Sequence, residues 1–210
     1  NSFNDPGVSY SLFSTPHRLI ANASYEVAYA NMKTTVSLFY TGYQQGRFSY
    51  TYSNDMNGDG NYSDLMYVPA SKEEMTFVDI KDKQNNVTYS AVDQQEDFWN
   101  YVNNDSYLNE HKGQYVERAS SLEPWIHRFD MKIAQDFYAK IGSRKYGIQV
   151  SLDMLNIGNL LNSKWGAYRS CGLQSYDNVR LLKTASKVGE PLTYQMNASS
   201  REVFQKNSKW

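Results

Sequence analysis

The sequence has 210 residues, a formal net charge of −1 and a single cysteine. The near-zero charge offers no basic field to recruit nucleic acid, and one cysteine excludes an internal disulfide. No apolar run approaches the roughly 20 residues that a membrane-spanning helix needs. Aromatic residues make up 15 % of the chain. This composition fits strands whose two faces meet different surroundings, in a membrane barrel or in a tyrosine-rich soluble β-protein.

Four segments alternate apolar and polar residues with the period of two that predicts β-strands. We predict these strands at about 18–29, 34–53, 127–142 and 145–157. In the third segment, Phe129, Met131 and Ile133 share one face, whereas Arg128 and Asp130 share the other. The segments exceed the roughly 5–6 residues of an average strand and reach the roughly 9–11 residues of a tilted transmembrane strand.

The connections between these strands alternate between short and long. Short turns near residues 30–33 and 142–145 join the first pair and the last pair, whereas the loops at about 54–126 and 163–209 are long. Short periplasmic turns and long extracellular loops are typical of outer-membrane barrels. We therefore predict an all-β fold that forms a segment of an antiparallel transmembrane β-barrel. A soluble sheet is the alternative, since a sandwich face also alternates.

The long insertion carries helix signals. Ser90–Asp93 matches a capping box, and the residues that follow it, 94–102, are compatible with a helix. Ser71–Glu74 is a second, weaker start. The first helix carries three aromatic residues, Phe98, Trp99 and Tyr101. We expect a folded extracellular loop with one or two short helices, in which these aromatic residues form a small core of their own.

One motif resembles the start of a calcium loop, because oxygen-bearing side chains alternate and a glycine follows at the sixth position. The predicted ligands are Asp55, Asn57, Asp59, the carbonyl of Asn61, and Asp64. The glutamate that usually closes such a loop is missing, since Met66 occupies its position, and Asp64 would have to close the site. The alternative is a turn rich in Asn, Asp and Gly that needs no ion.

The sequence contains no catalytic constellation. The three histidines lie far apart in sequence, without the spacing of metal ligands: His17, His111 and His127. Charges of both signs alternate with apolar residues on the third strand, at Asp130, Lys132, Asp136 and Lys140. Such a ladder predicts a hydrated wall of salt bridges and not a pair of acid–base groups. We expect no enzyme activity and no cofactor besides the possible calcium ion.

Four segments together carry a resemblance to a known family: Asn54–Pro69, Phe129–Phe137, Ser151–Asn162 and Ser14–Arg18. These segments are similar to Oar-like TonB-dependent receptors of Bacteroidetes. The block Asp153–Leu160 is typical of barrels of this superfamily, and the calcium-like block narrows the resemblance to the Oar-like kind.

The resemblance implies that residues 1–210 form the C-terminal portion of an outer-membrane barrel of about 22 strands. It implies import of a small-molecule, peptide or glycan nutrient, with energy supplied by TonB through an N-terminal plug. It also implies contact with outer-membrane lipid and a possible surface lipoprotein partner. The plug, the TonB box and an aromatic-ended closing strand are not among these residues. We therefore expect the chain to be part of a larger receptor.

A soluble, secreted β-rich module is the competing function, either a calcium-dependent adhesin or a carbohydrate binder. Its support is the loop that begins at Asp55, together with abundant tyrosine and tryptophan. A barrel segment should require detergent, whereas a secreted module should dissolve in buffer.

Overall fold

A computed structural model describes residues 8–163, 165, 167–171, 178–187, 189–197 and 204–208. Strands account for 47 % of the structure and helices for 15 %, which confirms the predicted predominance of antiparallel β-structure. The chain divides into two compact units. Unit 1 comprises Asn1–Ser14, Gly46–Glu123 and Cys171–Gln205; unit 2 comprises Thr15–Gln45, Pro124–Ser170 and Lys206–Trp210.

The strands in chain order are β1 (Arg18–Tyr29), β2 (Met32–Gln44), β3 (Arg47–Tyr52), β4 (Tyr67–Val68), β5 (Ile80–Lys81), β6 (Val87–Tyr89), β7 (Gln114–Tyr115), β8 (Ser121–Leu122), β9 (Trp125–Ile141), β10 (Arg144–Met154), β11 (Ala167–Cys171), β12 (Asn178–Thr184), β13 (Tyr194–Met196) and β14 (Phe204–Ser208). The helices are α1 (Ala91–Asn104), α2 (Ser106–Glu110) and α3 (Ile157–Leu161), with a 3-10 turn at Lys72–Glu74. Among the described residues, no helix is both long enough and apolar enough to cross a bilayer.

Unit 2 is built on a four-stranded antiparallel sheet in the order β1-β2-β9-β10. Two tight hairpins close one end of this sheet, with Tyr29 opposite Met32 and Ile141 opposite Arg144. The turns use residues with positive φ, 51° at Ala30 and 64° at Gly142. The long connection between β2 and β9 joins the opposite end of these strands.

The prediction of a single strand at 34–53 is wrong. The structure divides this segment into β2 and β3, which lie in different sheets. The break falls at Gln45 and Gly46. A side chain at Gly46 would place its Cβ 3.2 Å from the carbonyl oxygen of Leu12, so glycine allows the close approach there. The fourth predicted strand, 145–157, also ends earlier, at Met154. Asn156 adopts a left-handed conformation with φ 55° and is the N-cap residue immediately before α3.

Unit 1 has a buried hydrophobic core around β3, which lies in a sheet of order β13-β12-β3-β8. The pairing of β12 with β3 is parallel. Helix α1 begins after Ser90, whose side chain accepts a hydrogen bond from the amide of Asp93. Phe98 on this helix is 2 % exposed, and Trp99 and Tyr101 pack against the same cluster. The prediction that these aromatic residues form a core of the insertion's own is wrong in part, because the cluster also contains residues of β12 and β13.

A buried hydrogen-bond group joins β3 to the junction of α1 and α2. The Tyr50 hydroxyl donates to Asp105 Oδ2 at 2.7 Å and lies 3.2 Å from the Tyr101 hydroxyl. Burial raises the pKa of Tyr50 far above its ordinary value. The same aspartate caps α2 by accepting a hydrogen bond from the amide of Leu108 at 2.9 Å.

The second predicted loop, 163–209, is also corrected, because it supplies β12 and β13 to the core of unit 1. Val179, Leu181 and Leu182 on β12 are buried in that core. The remainder of this predicted loop is described only in part, and Trp210 lies outside the described residues.

Candidate functional site

In the part of the chain that the structure describes, the sheet of unit 2 has one apolar face whose side chains are largely exposed. The face is formed by alternate residues of each strand, among them Tyr25, Val36, Leu38, Phe129, Met131, Ile133, Ile148, Val150 and Leu152. Phe129 is 41 % exposed and Ile148 is 71 % exposed. The buried core cluster is drawn from unit 1 and contains no residue of this sheet.

The apolar face is larger than a soluble monomer ordinarily exposes. Four strands spaced about 4.8 Å apart and about 12 residues long cover on the order of 700 Å². The largest apolar patch on a typical monomer is roughly 300–600 Å². A patch above that range indicates a surface that meets lipid or another protein.

Aromatic residues lie at both ends of this face. At the end away from the hairpins, Tyr40 lies 4.9 Å from Phe129 between ring centroids and 2.7 Å from His127 between Oη and Nδ1. His127 also stacks near Trp125, which stacks near His17. At the hairpin end are Tyr29 and Tyr146. Between these two aromatic bands the residues are mainly aliphatic, with Tyr25, Thr34 and Gln135 as exceptions.

The height of the face can be compared with a membrane. From Phe129 to Ile141 β9 rises roughly 40 Å along its own axis. At the tilt of roughly 35–45° that outer-membrane strands adopt, this corresponds to roughly 30 Å along the membrane normal. The apolar band of such barrels is about 25 Å tall and has aromatic girdles at both interfaces.

Gln135 is the one polar residue that interrupts the apolar side of β9. Its Oε1 accepts hydrogen bonds from the hydroxyls of Thr34 at 2.6 Å and Tyr29 at 3.3 Å. Its Nε2 donates to the carbonyl oxygens of Lys33 at 3.2 Å and Asp136 at 3.1 Å. Both ends of the amide are therefore satisfied by hydrogen bonds within the protein.

The opposite face of the sheet carries charged residues linked across all four strands. Lys33 Nζ lies 3.2 Å from Glu26 Oε2 and 3.4 Å from Asp136 Oδ2. Gln149 Nε2 donates to Asp136 Oδ1 at 2.7 Å. Further ion pairs join Lys132 to Asp153 at 3.4 Å and Arg128 to Asp130 at 2.9 Å. Asp130, Lys132 and Asp136 of the predicted ladder are therefore in salt bridges, and the sheet has one polar and one apolar surface.

The predicted calcium ligands lie together in one loop of unit 1. The Asp55 carboxylate accepts hydrogen bonds from the amides of Gly58 at 2.7 Å, Asp59 at 3.2 Å and Gly60 at 2.8 Å. These bonds, the one from Gly60 foremost, lower the pKa of Asp55. Because the folded pKa is depressed, the stabilisation is present above the ordinary pKa of aspartate and is lost as the pH falls through the folded pKa.

The other predicted ligands also bond to the loop backbone. Asp59 Oδ1 accepts from the amide of Asn61 at 2.8 Å, and Asp64 Oδ2 accepts from the amide of Met56 at 2.8 Å. Asn57 Oδ1 accepts from the amide of Asp59 at 2.9 Å. A carboxylate has about four acceptor positions, so these oxygens retain capacity for a cation. Within the described residues no cluster of three or more His, Cys, Asp or Glu side chains has the arrangement of a metal site.

A cleft of about 890 Å³ lies beside this loop, within unit 1. Three separate segments line it: Val8, Ser9 and Tyr10; Met56, Asn57, Asp64 and Leu65; Tyr115, Val116, Glu117 and Arg118. This cleft could not be predicted from the sequence, because it is formed by residues that are distant in sequence. The alternation of Tyr115, Val116 and Glu117 is the only local signal that it offers.

The histidines are not brought together as ligands. His111 stacks on Tyr107 with 4.0 Å between ring centroids, and its Nδ1 lies 2.8 Å from the Tyr107 carbonyl oxygen.

Comparison of the chain with protein-family models, curated proteins and solved structures found no match. The two-faced sheet and the cleft are therefore the features of the molecule that bear on function.

Proposed function

We propose that the chain forms part of the wall and outer face of an outer-membrane β-barrel receptor that imports a nutrient with energy from TonB. The observation that supports this proposal is the four-stranded sheet with one uncovered apolar face and one charged face. Lipid on one side and a water-filled lumen on the other would satisfy both surfaces. The aromatic bands and the satisfied amide of Gln135 agree with the same setting.

In such a barrel the outer edges of β1 and β10 need partner strands. Four strands are too few to enclose a lumen, since the smallest such barrels have about eight. The outer edges of β1 and β10 would therefore pair with further strands of a larger barrel. Exposed strand edges do not occur within the hydrocarbon of a membrane.

The insertion between β2 and β9 would serve ligand capture in this receptor. It enters and leaves the sheet at the end away from the tight hairpins, where outer-membrane barrels carry their extracellular loops. Its folded core distinguishes it from a simple connection, and folded long loops commonly carry binding sites. Energy coupling would require a plug and TonB, and a surface lipoprotein is a further possible partner.

Membrane partition tests this proposal. Expressed with an export signal and as part of the larger barrel that would pair the outer edges of β1 and β10, the chain should sediment with outer membranes, resist extraction by alkaline carbonate and require detergent to dissolve. An adhesin or carbohydrate-binding module should remain in the aqueous fraction. Recovery of a folded chain from buffer without detergent would refute the receptor proposal and favour the secreted module.

We also propose that the loop Asp55–Asp64 binds Ca²⁺ through the predicted ligands Asp55, Asn57, Asp59, Asn61 and Asp64. The ion would have a structural role, since it would cross-link oxygens that the loop already gathers. Calcium should raise the melting temperature of the chain, because an ion that binds only the folded state stabilises it by about 2.7 kcal/mol at 100 times its Kd. Differential scanning calorimetry with Ca²⁺ and with a chelator measures the shift.

A matched pair of variants makes the calcium test specific. Asp82 forms a similar turn, in which its Oδ1 accepts from the amides of Gln84 and Asn86, both at 2.8 Å. Asp82→Asn should keep the calcium-dependent shift, and Asp55→Asn should abolish it. If melting of the parent chain is indifferent to the chelator, the loop is a plain turn.

A further inference from the structure

The cleft in unit 1 combines two braced aromatic rings with charges that have no partner. Tyr10 is 57 % exposed and Tyr115 is 60 % exposed, so both rings offer a free surface to a ligand. Among the cleft-lining residues that the structure describes, the carboxylate of Glu117 and the guanidinium of Arg118 form no ion pair and no side-chain hydrogen bond.

Each tyrosine ring contacts a neighbouring side chain that is itself fixed by a hydrogen bond. The Arg47 guanidinium lies 3.9 Å from the centroid of the Tyr10 ring, and its Nε donates to Ser14 Oγ at 3.0 Å. Tyr115 meets Tyr67 edge-on at 5.2 Å between centroids, and the Tyr67 hydroxyl donates to Glu74 at 2.7 Å. Rings fixed in this way lose little conformational entropy when they contact a ligand.

The charges exclude ligands of a single sign. An anion drawn to Arg118 would also meet the carboxylate of Glu117, and a cation drawn to Glu117 would also meet the guanidinium of Arg118. A neutral ligand would displace water from both charges without bringing a counter-charge to either. A ligand that carries both charges forms a charge-assisted hydrogen bond and an ion pair at each end, so it compensates best for the lost hydration.

We propose that this cleft binds a short zwitterionic peptide. The peptide ammonium lies at the Glu117 carboxylate, the terminal carboxylate lies at the Arg118 guanidinium, and apolar side chains contact Tyr10 and Tyr115. The volume is within the roughly 300–1,000 Å³ of ligand pockets. This inference rests on the proposed receptor function, since it names the class of nutrient that the insertion captures.

Equilibrium dialysis of the full chain in detergent tests the proposal. The probe is an equimolar mixture of random-sequence tetrapeptides with free ends, with an acetylated amino end or with an amidated carboxyl end, and mass spectrometry quantifies retention. Free-ended peptides should bind at least tenfold more tightly than either blocked set. Maltotetraose serves as the uncharged probe.

Two variants assign each end of the peptide. Arg118→Gln should weaken binding of the free-ended mixture at least tenfold and leave binding of the amidated mixture unchanged. Glu117→Gln should do the same for the acetylated mixture. Glu73→Gln, at an exposed site elsewhere in unit 1, is the matched control and should bind like the parent chain.

The proposal is overturned if blocked peptides bind as tightly as free ones, if no peptide is retained, or if maltotetraose binds more tightly than the peptides. Membrane partition of the same preparations keeps this result separate from the receptor proposal. A chain that partitions into membranes without binding peptide refutes only the peptide site, whereas a peptide-binding chain that stays in buffer refutes only the membrane location.

Discussion

If the apolar face meets lipid, as proposed, replacing Val150 by arginine is expected to lower the free energy of unfolding of the membrane-inserted barrel by about 2–4 kcal/mol, the cost of arginine on the lipid side near the bilayer midplane. Val150 lies opposite Gln135, halfway along the apolar face, and is 60 % exposed. Unfolding by urea in lipid vesicles, followed by tryptophan fluorescence, measures the change.

The neighbouring residue provides the control for this prediction. Ser151 is exposed on the charged face, so Ser151→Arg should change the free energy of unfolding by less than about 0.5 kcal/mol. In a soluble protein both positions would face water, and the two arginines would have equally small effects. Equal effects would therefore contradict the membrane location, whereas a large difference between adjacent residues indicates two solvents.

The alternation in β1, β9 and β10 is what made the sheet of unit 2 predictable from sequence. Each of these strands keeps a mainly apolar side and a mainly polar side, with Gln135 as the exception on β9, and such alternation predicts strands. The hairpins were predictable for a similar reason, since Ala30–Asn31 and Gly142–Ser143 interrupt the pattern between long alternating segments. These features depend only on residues near one another in sequence.

The break between β2 and β3 was not predictable from the same pattern. Leu38 and Tyr40 precede the break and Phe48 and Tyr50 follow it, all at even positions. A two-residue interruption preserves this parity, so the alternation continues although the chain changes sheet. The apolar side of β2 is exposed, whereas Phe48 and Tyr50 are buried in the core of unit 1. Alternation alone cannot separate these two environments.

The parts of unit 1 that come from distant segments left little local signal in the sequence. β12 is short, and it pairs in parallel with β3, more than 120 residues earlier in the chain. The cleft is formed by three segments in the same way. The calcium-like motif does leave a local signal, but the signal fits two structures. The same Asp and Asn oxygens that bind an ion also accept hydrogen bonds from the loop amides.

Gln94 is expected to be among the residues on which the fold of unit 1 depends most. Its side chain is 0 % exposed, and its Nε2 donates to the carbonyl oxygens of Val78 at 2.9 Å, Tyr89 at 3.0 Å and Ser90 at 3.2 Å. Its Oε1 accepts from the amide of Met196 at 2.9 Å. The one amide therefore joins α1 to β13 and to the segment before α1.

Gln94→Ala should lower the free energy of unfolding of unit 1 by about 3–5 kcal/mol, because a cavity forms and buried backbone groups, the amide of Met196 among them, lose their partner. Asn100→Ala, at an exposed position of the same helix, should change stability by less than about 0.5 kcal/mol, because exposed substitutions usually have small effects. Any change should be a small gain in stability, because alanine has the higher helix propensity. Denaturation followed by near-ultraviolet circular dichroism measures both. If Gln94→Ala is as stable as Asn100→Ala, the buried amide does not organise this core, and the hydrophobic contacts of Phe98 and Val102 suffice to hold α1 in place.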